Sequence, residues 1–342
     1  MTIRVAVIGA GIFGEEHIKG FSHWQDAEVV AISRRNEARG NELAGKYGVK
    51  YYQDYEEMLA SEDVDVASIC LPTGLHKPAA LAVAKAGKHI LLEKPMARTV
   101  AECDSIIEAC NSANVKLMLS FTHHFHPELQ FAKKMIDEGR LGEILLALDF
   151  FSFGELEAWP SWYYSHELGG GGEMMHDAVH SVDRMAWLIG SQIVEVYGRT
   201  SNYARGLEKV EDGGAAVLSF KNGAIASLFV NEATYPLPVE VSENPVENMF
   251  GRCELELHGT RGSIRYNTWR DIHFCSKEES FTLKHHYVNP MVIETREFLD
   301  SILEDREPCV GGEEGKEGIA VIQAIYESER RNEPVHVAEM YS

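Results

Sequence analysis

The chain has 342 residues, 45% hydrophobic and 25% charged, which is enough for two domains and too ordinary a composition for a collagen, a disordered chain or a disulfide scaffold. Its 53 acidic against 32 basic side chains leave a formal charge of −21 at pH 7, disfavouring nucleic acid or an anionic membrane as partner. Cys70, Cys103, Cys110, Cys253, Cys275 and Cys309 form no CxxC pair and read as free thiols; with no signal-peptide pattern and no bilayer-length apolar run, a cytoplasmic protein is expected.

From the N-terminus, "RVAVIG" (4–9), "EVVAIS" (28–33), "DVASICLP" (65–72), "KHILLEK" (88–94) and "VKLMLSF" (115–121) are short apolar runs that predict buried strands. The stretches between them, such as "EEHIKGFSHW", "KPAALAVAKAG" and "VAECDSIIEACNSAN", carry helical spacing or helix-forming residues. Strand alternating with helix predicts a doubly wound parallel sheet, a Rossmann domain over residues 1–121. Beyond it the rhythm changes. "HPELQFAKKMIDEGRLG" reads as a helix, "EILLALDFFSFG" as a strand, and a glycine corner at 169–172 opens "EMMHDAVHSVDRMAWLIG" as one helix. Residues 193–287 are mostly short strand candidates, with Asn222-Gly223 placed as a hairpin turn, and 292–308 and 315–332 are late helices. Residues 122–342 are therefore expected to form an α+β domain around an open, mainly antiparallel sheet.

"GAGIFG" follows the first strand and opens the first helix, the context a dinucleotide fingerprint requires. Gly9 permits the tight turn, Gly11 lets backbone approach a pyrophosphate, and Gly14 lets helix and strand pack, with Ile12 and Phe13 completing the turn. The helix N-terminus supplies free N–H groups to the phosphates. At the end of the second strand "AISRRN" offers Ser33, Arg34 and Arg35 where an NAD enzyme usually has an acid. A hydroxyl and guanidinium groups suit a 2′-phosphate, so NADP is expected, with NAD possible. "LLEKPM" puts Glu93 and Lys94 at a strand's carboxyl end. Spacing alone fits a strand reaching solvent equally well; chemically, a partly desolvated lysine suits proton transfer at an oxygen whose carbon exchanges hydride.

"HDAVH" offers His176 and His180, with Asp183 one turn on, at i, i+4 and i+7 of one helix face. A zinc pair, satisfied structural histidines and proton-transfer groups compete for this face. The zinc reading lacks the inner glutamate of HExxH and a distal ligand, and no metal is expected. His123, His124 and His126 in "FTHHFHPELQ" span a strand-to-helix junction and read as structural or pocket-lining; Tyr287 in "KHHYVNP" is a weaker substrate candidate.

The glycine fingerprint, the "EKP" triplet and the glycine corner leading to His-x-x-Asp together resemble the glucose-fructose oxidoreductase / inositol dehydrogenase (Gfo/Idh/MocA) family, as does the closing "EPCVGGEEGKEGIAVIQAIYESERRNEPV". The resemblance implies hydride transfer between nicotinamide and a carbohydrate hydroxyl or carbonyl. It places Lys94 at the substrate hydroxyl and the nicotinamide ribose, Glu93 near the cofactor, and Leu71, Pro72, Thr73 and His76 along the nicotinamide pocket. His180 becomes the general acid/base and Trp162 a pocket wall. Many members carry aspartate where this chain has His176, with Asp177 displaced by one, so the partner of His180 and the substrate's handedness stay open. Homodimers or homotetramers formed on the open sheet are implied. An NAD-dependent glycosidase working by transient oxidation and a non-catalytic dinucleotide sensor are the alternatives.

Overall fold

The computed structural model describes residues 2–153, 160–202, 210–232, 250–268, 270–284 and 288–341. The chain divides into two compact units, Met1–Phe125 with Asn289–Lys316, and His126–Val288 with Glu317–Ser342.

The first unit is built on β1 (Ile3–Ile8), β2 (Ala27–Ser33), β3 (Lys50–Tyr52), β4 (Val66–Ile69), β5 (His89–Glu93) and β6 (Leu117–Ser120). They pair in parallel in the order β3-β2-β1-β4-β5-β6. Helices α1 (Ile12–Ser22), α2 (Glu37–Tyr47), α3 (Tyr55–Ser61), α4 (His76–Lys85) and α5 (Val100–Ala113) connect them. The central strands are apolar without alternation because both faces are buried, β4 along its whole length. Three of these helices start on side-chain caps: Asn36, Asp54 and Thr99 accept from the second or third N–H of α2, α3 and α5. Beside β1 the order reverses, so the connections after β1 and β4 leave in opposite directions and open a crevice at the carboxyl ends of these strands. The three-residue β3 is too short to show in the sequence pattern.

The second unit begins with α6 (Pro127–Asp137) and β7 (Ile144–Phe153), followed by α7 (Glu173–His176) and α8 (Ala178–Ile189). Strands β8 (Ile193–Ser201), β9 (Gly213–Phe220), β10 (Ile225–Asn231), β11 (Phe250–Gly259), β12 (Gly262–Asn267), β13 (Asp271–Ser276), β14 (Ser280–Lys284) and β15 (Val335–His336) complete a nine-stranded sheet with β7. Its order is β14-β13-β12-β11-β7-β10-β9-β8-β15, antiparallel except where β10 runs parallel to β7. Asn222 and Gly223 turn β9 into β10, Gly223 at φ +92°, and the Asn222 side chain accepts from the Ala224 N–H.

The expected single helix over 173–190 is interrupted. Asp177 (φ −112°, ψ −38°) separates α7 from α8, and the His180 N–H reaches back only three residues, to the Asp177 carbonyl at 3.1 Å. Aspartate is a poor helix-interior residue, and here it marks the break. His176 and His180 therefore stand on two helical segments instead of one turn apart on a single face.

Two helices close the chain, α9 (Pro290–Leu303) and α10 (Gly312–Arg331). Helix α9 packs on α1 in the first unit, although the sequence placed 292–308 with the later domain. Gly20 permits the contact, because a Cβ there would lie 3.0 Å from the Met291 carbonyl oxygen. The Trp24 indole N–H donates to the Val292 carbonyl (3.1 Å), and Arg296 pairs with Asp26 (2.9 Å).

Candidate functional site

The glycine turn sits at the carboxyl end of β1. Gly9 adopts φ +84°, and a Cβ there would lie 2.5 Å from the Cys70 carbonyl oxygen; one on Gly14 would lie 2.6 Å from the Gly9 carbonyl oxygen. Those two glycines are required by the protein's own packing. Gly11 is different, since a Cβ there would meet nothing nearer than 3.9 Å. It caps α1 without any side-chain acceptor, and Ile12 and Phe13 beside it are exposed. An open backbone surface at a helix N-terminus fits a dinucleotide pyrophosphate. The acid in that first turn, Glu15, is taken up by Lys46 (2.6 Å) and the Tyr47 hydroxyl (2.9 Å), whose hydrogen bonds hold its pKa below the usual carboxylate value.

The end of β2 supports the turn directly, with the Gly9 and Ala10 N–H groups both donating to the Ser33 carbonyl at 3.0 Å. Ser33 itself is buried, whereas Arg34 is half-buried and Arg35 exposed. Arg34 donates from Nη1 to the Ala10 carbonyl (2.6 Å), which lays its guanidinium against the turn, and Tyr51 donates to the Arg34 carbonyl (2.9 Å).

Leu71 and Pro72 follow β4, and Thr73 opens a short 3-10 turn. His76, expected along the pocket, is buried with both ring nitrogens on main-chain carbonyls: Nε2 2.8 Å from Leu71 O, Nδ1 2.9 Å from Pro95 O. Burial lowers its pKa, and a neutral ring has one N–H, so one of the two contacts is a hydrogen bond at a time. His76 thus braces the loop after β4 against the loop after β5.

Lys94 leaves β5 half-buried. Glu93 beside it is buried; its Oε2 accepts from the Lys94 N–H (3.0 Å) and its Oε1 faces His17 Nε2 (3.0 Å). Burial pushes the Glu93 carboxyl up, but the hydrogen bond and charge of His17 outweigh it and hold the group below the usual range, as a carboxylate. Burial likewise opposes a charge on His17, and Cys70 and Glu93 outweigh it. His17 Nδ1 meets the Ser68 hydroxyl at 2.7 Å. Neither His17 nor Ser68 is visible as a site residue in sequence, because His17 meets Glu93 76 positions away and Ser68 meets His17 51 positions away, each on another element.

In the second unit the glycine corner is dictated by close approach. A Cβ on Gly172 would lie 1.8 Å from the Glu211 carbonyl oxygen, and one on Gly171 2.3 Å from the Tyr326 hydroxyl. The Glu211 carboxylate caps α7, accepting from Gly172 N–H (3.0 Å) and Met174 N–H (3.1 Å) and from the Tyr326 hydroxyl (2.6 Å). His176 is buried, stacked on the Tyr163 ring with centroids 3.7 Å apart, and its Nε2 donates to the Tyr163 carbonyl at 3.0 Å. Trp162 is half-buried and meets the same imidazole edge-on at 6.0 Å. His180 and Asp183 are buried on α8, and Asp177 is half-buried between the two helices. The orientation of α8 is set by a group that sequence reasoning missed. Asp149 of β7, fully buried, accepts from Arg184 Nε and Nη2 (both 2.6 Å) and from Ser181 (2.7 Å). A charge inside the apolar "LLALDFF" was the available signal.

His126 caps α6 and its Nδ1 meets the Tyr266 hydroxyl at 2.9 Å, while His123 and His124 are buried in a 3-10 turn. Tyr287 lies outside the described residues. Among the described residues, no three His, Cys, Asp or Glu side chains are grouped to hold a metal, and no helix is long and apolar enough to cross a membrane.

A six-stranded parallel sheet of this order, with a glycine turn opening a helix at the carboxyl end of β1, is the arrangement of a dinucleotide-binding Rossmann fold. Residues 3–121 match the family model described as an oxidoreductase family, NAD-binding Rossmann fold, and residues 129–265 match the GFO/IDH/MocA C-terminal domain. The chain belongs to the GFO/IDH/MocA family. It is 26% identical to a myo-inositol 2-dehydrogenase of Thermotoga maritima over 352 aligned residues, covering 99% of each chain. It is 32% identical over 197 residues to a 4-carboxy-2-hydroxymuconate-6-semialdehyde dehydrogenase of Sphingobium sp., a match spanning 55% of this chain and 59% of that relative. Among solved structures, the WlbA dehydrogenase from Bordetella pertussis, in complex with NADH and UDP-GlcNAcA, superposes with a TM-score of 0.86 at 26% identity, covering 98% of this chain and 97% of that one.

Proposed function

We propose that the protein is an NADP-dependent oxidoreductase that interconverts a hydroxyl and a carbonyl on a sugar, polyol or related carbohydrate. The observation that carries this reading is Lys94 at the carboxyl end of β5, its main chain held by the buried Glu93, on the same sheet edge as the Gly11 turn. The bound nicotinamide would supply or accept the hydride. Gly9, Gly11, Ile12, Phe13 and Gly14 hold the pyrophosphate. Arg34 and Arg35 take a 2′-phosphate, favoured by the absence of an acid at the end of β2. Leu71, Pro72, Thr73 and Glu93 shape the nicotinamide end, and His76 contributes by bracing the two loops that do so.

Lys94 moves the proton at the reacting oxygen, and His180, from the domain assigned to substrate, is the second proton-handling group. His176 spends its Nε2 hydrogen bond on the Tyr163 carbonyl, so its part is to fix the Trp162–Tyr163 wall, with Asp177 the acid nearer to hand in sequence. Val194, Tyr197, Val217, Ile225 and Leu146 are exposed on strands of the nine-stranded sheet and favour a homodimer or homotetramer formed there. Six free cysteines favour the cytoplasm. The myo-inositol and UDP-sugar named for relatives favour the carbohydrate class.

The test is a panel of aldoses, ketoses, inositols and sugar phosphates with NADP and NAD in both directions, on the native chain, Lys94→Met and His180→Ala. Turnover of at least one carbohydrate, falling about 10²–10⁴-fold in both variants with dinucleotide binding retained, is expected. Near-native turnover by Lys94→Met refutes the assignment.

A further inference from the structure

Behind Lys94 lies a row of buried polar groups of which the proposed chemistry uses only Glu93. It runs from Ser68 through His17 and Glu93 to Ser120 and ends on Glu294 of α9. Ser120 Oγ is 3.4 Å from Glu93 Oε1 and 2.5 Å from Glu294 Oε1. Ser68, His17 and Glu294 are completely buried, and Ser120 and Glu93 nearly so. The second Glu294 oxygen, Oε2, has no hydrogen-bond partner among the described residues. A carboxylate left in that position is costly, so the acid is expected to hold its proton. Burial does raise Glu294, to about 8, and the charge of Glu93 adds to the effect while His17 and Ser120 oppose it.

We propose that Glu294 is a positioning residue for Lys94, acting through the single proton of the Ser120 hydroxyl. When Glu294 is protonated its O–H donates to Ser120 Oγ, which leaves the serine proton for Glu93 Oε1. Glu93 then accepts from Ser120, from His17 and from the Lys94 main chain, and the lysine is held at the edge of the sheet. When Glu294 loses its proton to solvent base, the serine proton turns to the new carboxylate. Glu93 loses that donor, a second negative charge enters the pocket, and the hold on the Lys94 main chain and the field at its side chain change together. The groups facing Glu294 are His17 from α1, Glu93 from β5, Ser120 from β6 and the Cys309 thiol, with His123 and His124 in the 3-10 turn packed on α9.

The inference takes Lys94 as the proton-handling lysine of the proposed function, but it is read without substrate. The full-length protein is reductively methylated with ¹³C-formaldehyde, which keeps each lysine titratable, and the Lys94 signal is the one missing from Lys94→Arg. In the native protein the Lys94 signal is expected to step near pH 8, where Glu294 ionises. Glu294→Gln keeps a donor to Ser120 and removes the ionisation, so the step disappears. Ser120→Ala keeps the acid and cuts the hydroxyl path, so the step shrinks by at least half. A native protein without the step, a step retained in Glu294→Gln, or one undiminished in Ser120→Ala overturns the proposal. A chain that turns over no carbohydrate but shows the step refutes the substrate reading alone.

Discussion

Replacing Glu294 by glutamine should make the first unit more stable, and increasingly so as pH rises. The carboxyl ionises near 4.5 in an unfolded chain and at about 8 in the folded one. Between those values the folded protein keeps a proton that the unfolded chain has released, so stability falls as pH rises. Each unit of that window is worth about 1.4 kcal/mol and the whole of it about 5 kcal/mol, an order-of-magnitude figure for a fully buried group. The Glu294 contribution is fully present below the unfolded value and gone above about 8. Glutamine carries no such dependence. Glu93 runs the other way, its contribution being lost only in acid, and His17, raised, loses its contribution toward alkaline pH; both are present in the two proteins and enter the comparison only through their coupling to Glu294. Amide hydrogen exchange of α9 and β6, compared between the two proteins at matched pH, reads the effect locally. The advantage of Glu294→Gln should grow from about pH 5 to about pH 8 and then level off. A difference that does not change with pH would refute the buried, protonated acid.

The two turn glycines should separate folding from binding: Gly11→Ala should fold normally and lose dinucleotide affinity, while Gly9→Ala should fail to fold, as judged by thermal melting and NADPH fluorescence titration. Replacing Arg34 and Arg35 together by alanine should weaken NADP by about 10- to 100-fold, on the scale of one charge-assisted hydrogen bond, and leave NAD nearly unchanged; equal losses would remove the 2′-phosphate from the reading. Arg184→Met should cost about 3–5 kcal/mol by stranding the Asp149 carboxylate, and adding Asp149→Leu should recover much of it, so urea unfolding that shows simple additivity would contradict a coupled buried pair.

The first unit was legible because its strands are unbroken apolar runs between helices, and because the glycine turn must fall where the first strand ends. The second was less so. A continuous helical pattern over 173–190 hid the break at Asp177, since periodicity reports which face is apolar and not whether the axis is continuous. The parallel alignment of β10 with β7 joins strands some eighty residues apart, which no local pattern encodes. Lys94 and His180 could be singled out by their settings in the chain, whereas Glu294 and Asp149 could not be paired with Ser120 or Arg184 until the fold brought them together. His176 shows the converse case, a residue conspicuous in sequence whose hydrogen bond is already spent on a neighbouring carbonyl.

The return of α9 to the first unit bears on how the protein is made. A ribosome finishes β6 long before it reaches Asn289, so the nascent dinucleotide unit must wait, with the α1 surface around Gly20 and Trp24 uncovered, until the strands of the other unit have been synthesised. A fragment ending at residue 121 would remain in that condition permanently. It should be prone to aggregate through this surface, and supplying residues 289–316 as a separate peptide should rescue it.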